Sequence, residues 1–222
     1  MGLSHKLYVF DAYGTLFDVH SAVARHREAV GPQADRLTEI WRTKQLEYTW
    51  VRSLMGAYVD FCEVTAQALD FAAARCGGIS ASTRAALLAA YATLVAYPDV
   101  APALKALKAQ GARTAILSNG TAAMLEAAVS AAGLKPLLDA ALSVDSLRVF
   151  KTAPQVYELV GRHFGCAPNE VSFQSSNRWD VAAAAKFGFR AAWINRTGQP
   201  DEYMDFAPAL VLRDLAALAN ET

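Results

Sequence analysis

Asp11 ends a short apolar run, Leu7-Tyr8-Val9-Phe10, and opens the turn Ala12-Tyr13-Gly14-Thr15-Leu16. A carboxylate at a strand end, followed by a glycine-containing turn, suits an exposed nucleophile on a rigid support. An isolated aspartate in that setting is more often a turn or helix-capping residue. Two residues on stands Tyr13, where a phosphate-processing site would be expected to carry a second carboxylate. The phenol removes both a carboxylic proton donor and a hard ligand for Mg²⁺. Three further segments can join Asp11: Leu117-Ser118-Asn119-Gly120, Lys151, and Ser175-Ser176-Asn177-Arg178-Trp179-Asp180. Singly these are a turn, a solvated charge and a capped helix start. Their order, each following a separate strand-like run, makes the joint signal strong.

The elements that must position these residues follow from hydropathy. Runs rich in branched or aromatic residues recur at Leu7 to Phe10, Thr114 to Leu117, Val171 to Phe173, Ala191 to Ile194 and Leu210 to Leu212, with longer helical stretches between. Alternation of this kind implies parallel strands joined by helical crossovers. The expected fold is α/β, a Rossmann-like three-layer core with a parallel sheet, formed by residues 1–17 and 99–222. Residues 18–98 contain no convincing strand and read as an inserted helical cap domain. Within them Leu37, Ile40, Trp41, Tyr48, Val51, Leu54 and Met55 approximate one apolar face of a long helix, and Arg42, Gln45 and Leu46 share another. Ser80 is expected to cap the last alanine-rich helix, and Tyr97-Pro98-Asp99 to form the return hinge and the cap of the next core helix. Ligands of open parallel sheets sit beyond the carboxyl ends of the strands, so the insertion would cover that site.

Composition narrows the partner. The 222 residues are 54% hydrophobic, enough for a full core, and 21 Lys and Arg balance 21 Asp and Glu. Nothing draws such a chain to nucleic acid or an anionic membrane, so a small-molecule partner is expected. Cys62, Cys76 and Cys166 are too few and scattered for a disulfide framework or metal cluster. With no basic region leading into an apolar stretch and no run of membrane-spanning length, the expectation is a soluble cytoplasmic protein.

Taken together, the chain resembles the haloacid dehalogenase superfamily, and within it the L-2-haloacid dehalogenases. The resemblance covers essentially the whole length. It rests on Asp11-Ala12-Tyr13-Gly14-Thr15, on Trp41-Arg42-Thr43-Lys44-Gln45-Leu46-Glu47-Tyr48-Thr49-Trp50, on Ser175-Ser176-Asn177-x-Trp179-Asp180, and on Trp193-Ile194-Asn195-Arg196-Thr197-Gly198. The second segment discriminates best, because phosphatase caps have no reason to share it. The resemblance implies that Asp11 displaces halide from the α-carbon of an L-2-haloacid, forming an aspartyl ester that water hydrolyses to a D-2-hydroxyacid. It assigns Thr15 and Ser175 to orienting Asp11, and Lys151 to favouring its ionised form. Ser118 and nearby backbone N–H groups would hold the substrate carboxylate. Asp180 would position or deprotonate water, Asn177 would fix Asp180 and Lys151, and Tyr157 would support Lys151. Arg42, Asn119 and Trp179 would cradle the halide, while Tyr13, Gln45, Leu46 and Phe61 shape the remaining pocket. No cofactor or metal is implied, and a homodimer is.

Blander readings compete with these. Arg42 could pair with Glu39 on the helix surface, and Tyr13, Phe61 and Trp179 could be simple core. Arg178 stands where a small residue is expected, and its long cation either points to solvent or alters the loop. A phosphatase of the same superfamily could use Asp11, Ser118 and Lys151, but Tyr13 and Ser176 occupy places where it would put acids. A non-catalytic binding protein on this scaffold would more readily lose Asp11, Lys151 or Asp180, yet all three are present. A serine hydrolase fails for want of Gly-x-Ser-x-Gly, and His5, His20, His26 and His163 lie outside the motifs.

Overall fold

The computed structural model describes residues 5–218. Six parallel strands form one sheet: β1 (Leu7–Phe10), β2 (Arg113–Ser118), β3 (Ala140–Ser143), β4 (Val171–Ser175), β5 (Arg190–Ile194) and β6 (Leu210–Leu212), in the order β3-β2-β1-β4-β5-β6. Every residue of β1 is buried, as expected of a central parallel strand covered on both faces. Phe10 is in register with Ile116 on one side and Gln174 on the other, so Asp11, Ser118 and Ser175 emerge at neighbouring strand ends. The chain leaves β1 toward β2 and returns on its other side with β4, which opens a crevice at Asp11. The five strands expected from sequence are all present. β3 is an addition: Ala140-Ala141-Leu142-Ser143 is an edge strand, partly exposed, and alanine carries no strand signal.

Residues 18–98 form five α-helices and no strand: α1 (Ser21–Ala24), α2 (Arg27–Val30), α3 (Ala34–Met55), α4 (Phe61–Arg75) and α5 (Ala81–Ala92). α3 stops at Gly56, whose φ of +66° suits glycine. Asp60 and Ser80 cap α4 and α5 by accepting from the backbone N–H groups of Glu63 and Thr83. The expected single apolar face of α3 divides in two. Leu37 and Trp41 are buried, whereas Val51, Leu54 and Met55 are exposed, Leu54 at 88%. At that end the side facing the core carries Trp50, edge-on to Trp179, and Ser53, whose hydroxyl accepts from Phe150 N.

The insertion enters and leaves through adjacent linkers. Asp18 N donates to Val95 O at 2.8 Å, Tyr97 N to Leu16 O at 2.9 Å, and Phe17 bridges antiparallel to Ala96. Core helix α6 (Val100–Ala109) follows at once. Asp99 precedes it but makes no side-chain cap, contrary to expectation. Its carboxylate instead accepts from Arg196 and from Leu215 N. The remaining helices are α7 (Ala122–Ala131), α8 (Pro154–Phe164) and α9 (Arg178–Phe187).

Candidate active site

The turn after β1 leaves Asp11 buried and its carboxylate held by three side chains. Lys151 Nζ donates to Oδ1 at 2.9 Å, and Thr15 Oγ1 and Asn177 Nδ2 donate to Oδ2 at 2.9 and 2.8 Å. Donors on both oxygens fix the plane of the carboxylate, which orients an attacking lone pair. The same Lys151 Nζ donates to Asp180 Oδ2 at 2.7 Å, and Tyr157 OH to Asp180 Oδ1 at 2.7 Å. The side chains of Lys151 and Asp180 are wholly removed from solvent. Burial would lower the pKa of Lys151, but the charges of Asp11 and Asp180 outweigh it and hold the ammonium above its ordinary value. Burial pushes Asp180 up, against the pull of Lys151, which gives a carboxylate the basicity to take a proton from water. Burial also raises Tyr157 well above the usual phenol value, reinforced by the Asp180 charge, so it remains a neutral donor.

Two orienting contacts differ from expectation. Ser175 was expected to hold Asp11, but its Oγ accepts from Asn177 N at 3.1 Å. Asn177 was expected to fix Asp180 and Lys151, but its side chain donates to Asp11 and to Tyr13 O and accepts from Arg42. Asn177 stands just before α9 and meets the β1 turn, while Asp180 lies in the first helical turn and meets Lys151. Thr15 ties the two loops together, since its Oγ1 also accepts from Ser176 N at 2.8 Å.

Arg42 reaches out of α3 into this crevice rather than to Glu39. Its Nη2 donates to Tyr13 O at 3.2 Å and to Asn177 Oδ1 at 3.1 Å. Both acceptors are neutral, so the guanidinium charge is available to an anion. Ser118 Oγ accepts from Gly120 N at 3.1 Å, which leaves its proton for a ligand. Asn119 Oδ1 accepts from Lys151 N at 2.9 Å, and among the described residues its Nδ2 has no protein partner. Ser118 and Asn119 are buried.

The apolar wall centres on Tyr13, whose ring lies 5.5 Å from both Phe61 and Tyr91. Burial, then Tyr91 and Asp11, keep the Tyr13 phenol neutral well above its usual range. Gln45 faces into the insertion: its amide donates to Thr65 Oγ1 at 3.0 Å and accepts from Tyr91 OH at 3.4 Å. Leu46, one turn beyond Arg42, is half-buried. Tyr91 is the member that sequence reading missed, because it stands alone in an alanine-rich helix. Its only sequence signal was the apolar pair Leu87 and Tyr91 four residues apart, and both are buried.

Arg178 points neither to solvent nor into the catalytic cluster. It is buried, pairs with Asp201 at 2.5 Å and donates to Tyr203 O and Phe206 O at 3.1 and 3.0 Å. It thereby ties down segment 201–206, where Tyr203 and Phe206 face Trp50 and Trp179 across a cleft of ≈ 300 Å³.

A divalent cation of the superfamily's phosphatases does not fit these side chains. The Lys151 ammonium already bridges Asp11 and Asp180, and Tyr13 offers a neutral phenol where a hard anion would be wanted. Among the described residues no group of three His, Cys, Asp or Glu side chains could hold a metal ion, and no helix is long and apolar enough to cross a membrane.

A family model described as haloacid dehalogenase-like hydrolase matches residues 5–188. The (S)-2-haloacid dehalogenase 4A of Burkholderia cepacia is 48% identical over 92% of this chain and 89% of its own. A dehalogenase crystal structure superposes with a TM-score of 0.94 at 45% identity, covering 97% of this chain and 96% of the other. The L-2-haloacid dehalogenase of Xanthobacter autotrophicus, solved with chloropropionic acid covalently bound, superposes with a TM-score of 0.88 at 40% identity over 97% of each chain. With the strand order, the motifs and these likenesses in agreement, the chain belongs to the haloacid dehalogenase-like hydrolases, among the L-2-haloacid dehalogenases.

Proposed function

We propose that this enzyme hydrolyses L-2-haloacids to D-2-hydroxyacids through an ester on Asp11. The observation that carries the reading is Lys151 placed between Asp11 and Asp180, with the uncommitted charge of Arg42 beside Asn177. Asp11 attacks the α-carbon, the carbon–halogen bond breaks, and its electron pair leaves with the halide. Arg42, Asn119 Nδ2 and the Trp179 side of the site receive that charge. Ser118 OH and neighbouring backbone N–H groups hold the substrate carboxylate. Water then attacks the Asp11 carbonyl carbon, Asp180 takes its proton, and the tetrahedral adduct expels the hydroxyacid and restores Asp11. The α-carbon is inverted once. A relative with chloropropionic acid covalently bound supports the ester step.

The core of residues 1–17 and 99–222, whose ends 1–4 and 219–222 lie outside the described residues, then acts as the catalytic base plate, with 18–98 as its cap. The exposed Val51, Leu54 and Met55 support a homodimer, and the free Cys62, Cys76 and Cys166 suit a reducing cytoplasm. Light scattering on the purified chain tests the dimer.

A single turnover with enzyme in excess over L-2-chloropropionate in ¹⁸O-labelled water tests the mechanism. The expected result is unlabelled D-lactate and ¹⁸O in the Asp11 peptide. Labelled product with unlabelled Asp11 would mean direct attack by water, and a chain that releases no halide here but frees phosphate from an added phosphate monoester would return to the phosphatases.

A further inference from the structure

Arg196 lies two residues beyond β5, in a motif that the reaction described above does not use. Its guanidinium makes a bidentate pair with Asp99, 3.0 Å from Nη1 to Oδ1 and 2.9 Å from Nη2 to Oδ2. Nη2 also donates to the backbone carbonyl of Thr15 at 2.9 Å. The guanidinium carbon sits 4.0 Å over the ring of Tyr97. Asp99 is itself pinned by Leu215 N at 2.8 Å. Burial works against the charge of Asp99, but Arg196 and Leu215 N hold its pKa below the ordinary carboxylate value.

Three places therefore meet at one side chain. Thr15 is the residue whose hydroxyl donates to Asp11 and accepts from Ser176 N. Tyr97 and Asp99 belong to the linker returning from the insertion, and Tyr97 N donates to Leu16 O, next to Thr15. The side chains of Arg196 and Asp99 are 13% and 11% exposed, so the pair is shielded from salt and held in one geometry. A surface ion pair would need none of the Thr15 contact. A pair that only joined linker to core would not terminate on the residue that aims the nucleophile.

We propose that Arg196, braced by Asp99, is a positioning residue for the reaction: it fixes the Thr15 carbonyl where the two linkers cross, and so aims Asp11 at the α-carbon. Displacing a reacting group by about 1 Å costs roughly 100-fold in rate. Misaiming Asp11 slows the chemical step and leaves the substrate contacts of Arg42 and Ser118 in place. The inference rests on Asp11 being the nucleophile.

The test is single-turnover halide release by the full-length wild type, Arg196→Gln, Arg196→Lys, Thr15→Ala and Arg196→Gln with Thr15→Ala, with thermal melts of each. Arg196→Gln is expected to slow carbon–halogen cleavage by roughly 10- to 100-fold with KM nearly unchanged. Arg196→Lys keeps the charge and one hydrogen bond and recovers part of the rate. The double variant is expected to be little slower than Thr15→Ala alone, because both changes act through one hydrogen bond. Full first-turnover rate in Arg196→Gln, or losses that multiply in the double variant, would overturn the proposal. If Arg196→Gln fails to fold, the comparison of Arg196→Lys with and without Thr15→Ala decides by the same criterion. A wild type that releases no halide would instead sink the functional reading, so the two failures are distinct.

Discussion

The ring of Tyr13 lies so close to Gly120 that a Cβ added there would sit 2.9 Å from both Cε2 and the hydroxyl. The conformation of Gly120 is open to any residue, but the space is not. Tyr13 is stacked against Tyr91 and Phe61 and has nowhere to retreat. Gly120 N also donates to Ser118 Oγ. Gly120→Ala is therefore expected to fold, with a loss of about 1–3 kcal/mol from overpacking, and to lower kcat/KM by roughly 10- to 100-fold. Tyr13→Phe should not rescue it, since Cε2 remains. Kinetics with a denaturant melt checks both claims, and unchanged kcat/KM would refute them.

Arg42→Ala removes the guanidinium from the Asn177 and Tyr13 contacts. Loss of one charge-stabilising donor is expected to lower kcat by roughly 10²- to 10³-fold. A variant with altered melting temperature but normal turnover would return Arg42 to a structural role.

Lys151 is the sole cation touching two buried carboxylates among the described residues. Lys151→Met leaves them facing each other, which is expected to cost on the order of 3–5 kcal/mol and abolish turnover. Adding Asp180→Asn should restore part of the stability and none of the activity. Because the folded pKa of Lys151 lies above its usual 10.5, its contribution is complete below that pH and is lost as pH rises through the folded value. Wild type and Asp180→Asn,Lys151→Met should therefore converge in stability on the alkaline side. Side-by-side urea melts in which the gap fails to narrow as pH rises above 10.5 would contradict this.

Arg178→Ala leaves Asp201 without its cation and takes a donor from the carbonyls of Tyr203 and Phe206, of which Tyr203 O keeps Phe206 N. It is expected to destabilise the chain by about 2 kcal/mol and to make residues 201–206 the first site of limited proteolysis. Turnover of a short haloacid should change less than twofold. A large loss of kcat with an intact melt would place Arg178 in the chemistry.

The carboxylates of the site were legible because each follows a strand that hydropathy shows, and parallel strands bring their carboxyl ends together. Lys151 follows β3, which hydropathy does not show, and was picked out only by its place in the order of the motifs. Contacts set by small rotations at the strand ends were not legible. Ser175 and Asn177 have the right residue types, but only the geometry of the turn before α9 sends Asn177 to Asp11 and Ser175 to Asn177. Periodicity located α3 yet mistook its end, because an exposed Leu54 and a buried Leu37 look alike in sequence. Asp99 has the composition of a cap, and a distant arginine in the chain outcompetes that local bond. β3 was invisible because its strand character comes from pairing with β2 rather than from its own residues.

The short ladder between residues 16–18 and 95–97 also bears on how such a chain could be dismantled. β1, α6 and β2 form a complete strand–helix–strand unit, and everything between Phe17 and Ala96 hangs from it as a loop whose two ends already touch. Joining those ends by a hairpin turn would delete the insertion without redirecting a single strand. The shortened protein should keep Asp11, Lys151 and Asp180 on one sheet edge, open to water and stripped of Arg42 and Phe61. Such a chain would show how the bare carboxylate pair behaves when nothing is there to receive a departing anion.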